Sequence, residues 1–345
     1  MTARMKAFFA EEERLHYPAQ FLVNGVFGEN PEQPARLDKL LAGARAAGCV
    51  FERPADAGLA PILAVHDARY VAFLENAHHR WTRIDGASAS VVPNIHPVSR
   101  DNNYPDSVVA QAGWHLMDAS APIGAHTFES ARWSANCAVA AAGAVLAGAP
   151  RAYALARPPG HHARQDAAAG FCYFNNSAIA AEILRRRHDR VAILDVDLHH
   201  GNGTQDIFYE RADVLTVSIH ANPDRFYPFF WGAENERGRG AGEGFNANFP
   251  LARGSKDDVF LAALDRALAR IDAFDPGALV IALGLDAFED DPFGGLSVST
   301  KGFERIGVAI ARAGARPTVI VQEGGYLCAA LGDNLAAFLT GISDG

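Results

Sequence analysis

Cysteine is scarce in this 345-residue chain and widely scattered. Cys49, Cys137, Cys172 and Cys328 form no CxxC or CxxxC pair, which argues against a disulfide framework and a cysteine-held metal and suits a reducing compartment. Long apolar runs are missing too. No window approaches the roughly 18 apolar residues of a membrane span, and the opening MTARMKAFFAEEERLHYP lacks the apolar centre of a signal peptide. A cytoplasmic protein with no membrane partner is expected. Positive charge is in deficit: 31 Lys and Arg stand against 40 Asp and Glu, for a formal net charge of -9. That balance argues against nucleic acid as a partner. The one basic cluster, Arg185 to Arg187 with Arg190, closes an apparent helix, where cations suit the helix dipole. Internal repeats, low-complexity tracts and linkers are absent, so residues 1–345 read as a single domain.

What is present is ample apolar content, 49%, arranged as strands alternating with helices. Residues 6–9 read as a first short strand. Helices follow over Pro34–Ala47 and, with Asp67 as N-cap, over Ala68–Trp81. From Gly86 to about Thr127 periodicity disappears. This reads as an ordered functional loop, because it carries His96, Asp101, Asp106, Trp114, His115 and Asp118. An Ala-rich helix spans Phe128–Ala147. Strands then end in YALAR (153–157), VAILDVD (191–197), VLTVSIH (214–220), ALVIALGLD (278–286) and PTVIVQEGGY (317–326), with helices at 177–187, 256–273 and 301–313. Such alternation implies an α/β fold with a mostly parallel central sheet covered by helices on both faces.

The chain is organised around VAILDVDLHHGNGT, residues 191–204. An apolar, β-branched run ends in Asp195, Asp197, His199, His200 and Gly201. If it stays extended, Asp195, Asp197 and His199 share one face. Polar clusters also follow three other strand ends: Pro158 to His162, Asp286, and Glu323 to Tyr326. Strand ends of one parallel sheet lie along one edge, so these clusters can converge. Asp197, His199 and Asp286 make an Asp2His set with a fourth position left for water, the layout of a catalytic zinc site. A dinuclear site would need further ligands, yet Gly201 and Phe288 stand two residues beyond His199 and Asp286. Asp195 is then free to orient a histidine or to hold a monovalent cation. The adjacent His161 and His162 are candidates for general base and acid. Asp195 can make one more basic while Asn202 meets the other without adding charge, so their pKa values should differ. Tyr326, after two glycines, can donate a hydrogen bond to a developing oxyanion.

The motifs RPPGHHA, GFCYFNN, DVDLHHGNGTQDIFY, VSIH, GLDAFEDDP and EGGY occur in this order between about residues 150 and 330. In them the chain resembles the zinc-dependent deacetylases that share the arginase/deacetylase fold, and among these most the acetylpolyamine amidohydrolases. The resemblance implies one zinc per chain on Asp197, His199 and Asp286, with His161 and His162 as acid–base catalysts and Tyr326 as carbonyl polariser. It implies a structural potassium near Asp195 and Ser218, with carbonyls of Asp197, His199 and Ile219. Gly170, Phe171 and Tyr227 would line the substrate tunnel, and Arg36 would lie behind the metal. The 86–127 loop is where such enzymes dimerise and narrow their mouths, which makes a homodimer the expected assembly. The implied reaction is hydrolysis of a small N-acetylated amine. A protein acetyl-lysine deacetylase and a manganese ureohydrolase are the enzyme alternatives, and a non-catalytic sensor of acetylated amines is the non-enzyme one.

Overall fold

The computed structural model describes residues 4–100 and 103–345; Asp101, expected in the 86–127 loop, lies outside them. Its strands are β1 (Lys6–Phe8), β2 (Gln20–Val23), β3 (Val26–Glu29), β4 (Val50–Glu52), β5 (Arg151–Ala154), β6 (Val191–Asp195), β7 (Val214–Ala221), β8 (Asn246–Leu251), β9 (Ala278–Leu283) and β10 (Thr318–Gln322). The helices are α1 (Arg36–Ala46), α2 (Ala60–Leu63), α3 (Ala68–Trp81), α4 (Val108–His115), α5 (Thr127–Leu146), α6 (Asn176–Leu184), α7 (Asn202–Phe208), α8 (Asp257–Phe274), α9 (Thr300–Arg312) and α10 (Leu331–Asp344).

Eight strands form one sheet in the order β4-β1-β5-β10-β9-β6-β7-β8, and every pairing in it is parallel. Alternation along each strand sends side chains to two separate cores. Ile193, Val280 and Val319 join one with α3, α5 and α6, whereas Leu194, Ile281 and Ile320 join the other with α1, α8, α9 and α10. Each core buries an aliphatic layer, the main source of stability in a fold of this kind. Between the strand ends and these layers the sheet forms a rigid rim for polar side chains.

Several elements were not legible in the apolar pattern. α4 interrupts the 86–127 segment, whose ends are tied by a bridge between Val91 and Ile123. β8, NANFPL, is polar and contains Pro250, which is tolerated because this strand lies at the edge of the sheet. α10 contains Gly332, a poor helix former. It is there because α10 crosses α1 closely: a Cβ on Gly332 would sit 2.8 Å from the Lys39 carbonyl oxygen, and one on Gly43 would sit 2.2 Å from the Gly332 carbonyl oxygen. The antiparallel hairpin β2–β3 lies outside the main sheet, with Val26 and Phe27 exposed. Among the described residues no helix is long and apolar enough to cross a membrane.

Candidate metal centre and acid–base site

The strand ends of β5, β10, β9 and β6, four neighbours in the sheet, bring the polar clusters together. β6 stops at Asp195 rather than continuing to Asp197, so the sharing of one extended face by Asp195, Asp197 and His199 is corrected. Side chains capture the backbone instead. The Asp197 N–H donates to Asp195 Oδ1 at 3.0 Å and the His199 N–H to Asp197 Oδ1 at 2.8 Å. Each aspartate thus turns the chain two residues onward, as Asp side chains do in local turns. Asp286 arrives from β9 through Gly284 and accepts the Leu198 N–H at 3.0 Å.

Donor atoms of Asp197, His199 and Asp286 lie within 4.8 Å of one another, and all three residues are buried. His199 Nδ1 stands 3.2 Å from Asp197 Oδ1 and 3.0 Å from Asp286 Oδ2. One imidazole nitrogen facing two buried carboxylates fits a divalent cation, because a lone N–H cannot compensate both charges. The electrostatics show the same demand. Burial opposes a charge on His199, yet contacts with Asp197 and Asp286 push it up to about 9. Asp286 is shifted upward by burial and by the charge of Asp197. Only glycine allows β10 to pass this centre: a Cβ on Gly324 would lie 2.4 Å from Asp286 Oδ2, and the Gly324 N–H donates to Asp197 Oδ2 at 2.8 Å.

His161 and His162 stack obliquely, with ring centroids 4.0 Å apart, in unlike surroundings. His161 Nδ1 lies 2.9 Å from Asp195 Oδ2, and His162 Nδ1 lies 2.7 Å from Asn202 Oδ1. Burial opposes protonation of both. For His161 the carboxylates of Asp197 and Asp195 outweigh it and push the imidazole up to about 10. For His162 the neighbouring imidazoles of His161 and His199 add to burial and hold it well below its ordinary value. Glu323 fixes the turn that carries the pair: Oε2 accepts the N–H groups of Gly160 at 2.6 Å and His161 at 3.0 Å, and Oε1 accepts the Ser177 hydroxyl.

Tyr326 is buried, and burial keeps its phenol protonated well past the ordinary range. Its backbone N–H donates to Asp291 Oδ2 at 2.9 Å. Arg36 lies behind it, with the guanidinium 4.9 Å from the Tyr326 ring centroid. That side chain donates to the carbonyls of Gly325 and Glu323 and pairs with Glu32 at 2.7 Å, so it clamps the turn that presents the phenol.

The rings of Phe171, Tyr227 and Phe293 surround the approach. Phe171 lies 5.8 Å from Tyr326, and Phe293 lies 4.7 Å from Tyr326 and 5.2 Å from His199. Phe226 stacks on His199 at 5.2 Å. Gly170 and Phe171 both have positive φ, 50° and 69°, and a Cβ on Gly170 would strike the His162 ring at 2.5 Å. On the far side of β6, Ser218 pairs in register with Asp195, and its hydroxyl meets His220 Nδ1 at 2.8 Å; Ile219 follows it in β7.

Sequence reasoning did not single out Phe226, Phe293, Asp291, Glu32 or the part played by Asp118. Phe226 and Phe293 carried a usable signal, since each neighbours a residue already flagged or its motif: Phe226 precedes Tyr227, and Phe293 follows EDDP. Glu32 had none, because its partners Arg36 and Arg157 are distant from each other in sequence.

A parallel α/β sheet with a buried Asp2His cluster, two imidazoles and a phenol at its central strand ends defines the class. The chain belongs to the histone deacetylase domain family, whose match covers residues 30–342. It is 48% identical over 339 residues to an acetylpolyamine amidohydrolase of Burkholderia pseudomallei (strain 1710b), covering 98% of each chain. It is 44% identical over 343 residues to acetylpolyamine amidohydrolase 1 of Pseudomonas aeruginosa, again covering 98% of each. The crystal structure of the acetylpolyamine aminohydrolase from Burkholderia pseudomallei superposes with a TM-score of 0.95 at 48% identity, over 98% of each chain.

Proposed function

We propose that this chain is a zinc-dependent amidohydrolase that removes acetyl groups from small N-acetylated amines, acetylpolyamines foremost, releasing acetate and a free amine. The observation that carries the reading is the meeting of Asp197, His199 and Asp286 with two unlike imidazoles and a buried phenol. The near full-length likeness to acetylpolyamine amidohydrolases supports the substrate class.

Asp197, His199 and Asp286 would hold a single Zn2+, which supplies Lewis acidity toward the amide carbonyl and lowers the pKa of water. Tyr326 donates its hydroxyl to the carbonyl oxygen as that oxygen becomes anionic. His162 points its Nδ1 at Asn202, which leaves Nε2 to take a proton from the attacking water. His161, kept protonated by Asp195, holds positive charge beside the tetrahedral anion. The proton on His162 then passes to the leaving nitrogen.

A potassium ion is proposed beside Asp195 and Ser218, with the carbonyls of Asp197, His199 and Ile219. Among the described residues no hydrogen bond reaches the carbonyl oxygens of Asp197 or His199, which supports their use as cation ligands. A cytoplasmic homodimer is the proposed working form. Exposed Ile95 and Val98 on the 86–127 segment supply apolar surface for self-association, and the free cysteines suit a reducing compartment.

Turnover of acetylputrescine, acetylcadaverine, acetylspermidine and an acetylated histone peptide by the zinc-loaded protein tests the reading. The small amines should give the higher kcat/KM at low ionic strength. A peptide that matches or exceeds them would replace the polyamine assignment with a protein deacetylase.

A further inference from the structure

Tyr227 does more than supply a ring to the tunnel. Its hydroxyl donates to Asp118 Oδ2 at 2.6 Å, and its ring stands edge-on to His162, with centroids 4.9 Å apart and planes at 89°. Asp118 belongs to the irregular 116–126 stretch that precedes α5, yet its carboxylate is tied down on three sides. It also accepts the Ser120 N–H at 2.8 Å and the Gly170 N–H at 3.2 Å. The hydroxyl is deep: a Cβ placed on Gly170 would lie 2.8 Å from it and 2.5 Å from the His162 ring. The Tyr227 hydroxyl and its Asp118 partner therefore sit beside the His162 imidazole, where the chain of the proposed substrate would pass.

A carboxylate beside an aliphatic chain draws water unless its lone pairs are engaged. We propose that Tyr227 is a positioning and specificity-determining residue whose hydroxyl occupies Asp118, keeping the neck of the tunnel apolar and keeping the Asp118 charge turned away from the substrate. A phenylalanine would line the same wall and leave that charge open. The proposal rests on the amidohydrolase reading for its substrates and goes beyond it in assigning the hydroxyl a task.

The test compares N-butylacetamide, which is neutral, with N-acetylputrescine, its cationic amine counterpart. Each is measured as a substrate and, by calorimetry, as a ligand of the zinc-loaded protein. In Tyr227→Phe the KM and Kd of the neutral amide should rise about tenfold while those of the cationic amide change less than threefold, with the larger effect on KM than on kcat. Adding Asp118→Asn should return the cationic-to-neutral ratio to the parent value or below, since the exposed charge is gone. Equal losses for both amides in Tyr227→Phe would overturn the proposal, as would a shifted ratio that survives Asp118→Asn. If the parent protein turns over neither amide, the amidohydrolase reading fails, and the calorimetric ratio still decides the role of the hydroxyl.

Discussion

The floor and the wall of this site are built in opposite ways. On the floor, Asp197, His199, Asp286 and His161 are ionisable, buried and held by hydrogen bonds anchored to adjacent strands. The wall consists of the aromatic rings of Phe171, Tyr227 and Phe293, all on connecting segments. A network of charges has one satisfactory arrangement and fails when one member is lost. Rings in contact tolerate change more gradually. On the proposed function, the difference would place reaction chemistry on the sheet and selectivity on the loops, a division that substitutions can test from the deepest point outward.

The largest effect is expected at the floor. Asp286→Ala should abolish stoichiometric zinc binding and reduce kcat/KM by at least about 10³-fold, given the several kcal/mol that a catalytic metal supplies. Elemental analysis and turnover check this together, and retained zinc with retained activity would show that the cluster is not the reactive centre. Tyr326→Phe sharpens the boundary, since the phenol is turned by the floor and touched by the wall. It should lower kcat/KM about 10²–10³-fold, mostly in kcat, with circular dichroism unchanged. A loss confined to KM would move Tyr326 to the wall. Phe293→Ala, a wall change, should raise KM about tenfold with a smaller change in kcat, in line with the lost apolar contact area. A larger drop in kcat than rise in KM would erase the proposed division.

The smallest effect concerns the metal-free floor. His161 and His199 are held up to about 10 and about 9, against an ordinary 6.5. Protons are thus bound more tightly in the folded state, and the resulting stability is fully present below pH 6.5 and lost as pH rises through the folded values. Chelated protein should therefore lose several degrees of Tm between pH 6.5 and 10, and zinc-loaded protein less, because the ion replaces the proton between the carboxylates. A flat profile in chelated protein would mean that these imidazoles are not held charged.

Much of the floor was legible in the chain, and the physical reason is burial on both faces of a parallel sheet. Such strands read as unbroken apolar runs, so the polar residue that ends each run stands out: Asp195, Asp286 and Glu323 were visible for this reason. The side-chain turns that replace the strand after Asp195 were not visible, because Asp197 N–H to Asp195 Oδ1 is a local bond that competes with pleating without changing the pattern of residues. The wall was less legible. Phe293 is one phenylalanine among 21, and beyond its place just after EDDP only its packing on His199 and Tyr326 distinguishes it. Asp118 looked like any acidic loop residue until its three donors were seen. β8 and α10 escaped because edge position and glycine-mediated helix contact relax the usual apolar periodicity.

The place of β10 in the sheet governs when this site comes into being. Thr318 pairs with Arg151 and Leu279 at once, so the strand that delivers Tyr326 is inserted between two strands already made, β5 long before it and β9 as the strand just preceding it. Until it enters, β5 and β9 each present an open backbone edge, and the histidine turn lacks the Glu323 carboxylate that holds it. Such long-range pairing is slow to form and leaves unpaired edges exposed meanwhile. The proposed reactive centre is consequently a late product of folding: a ribosome-bound chain that ends before residue 318 carries all three proposed metal ligands and both histidines, yet has no finished pocket in which to use them.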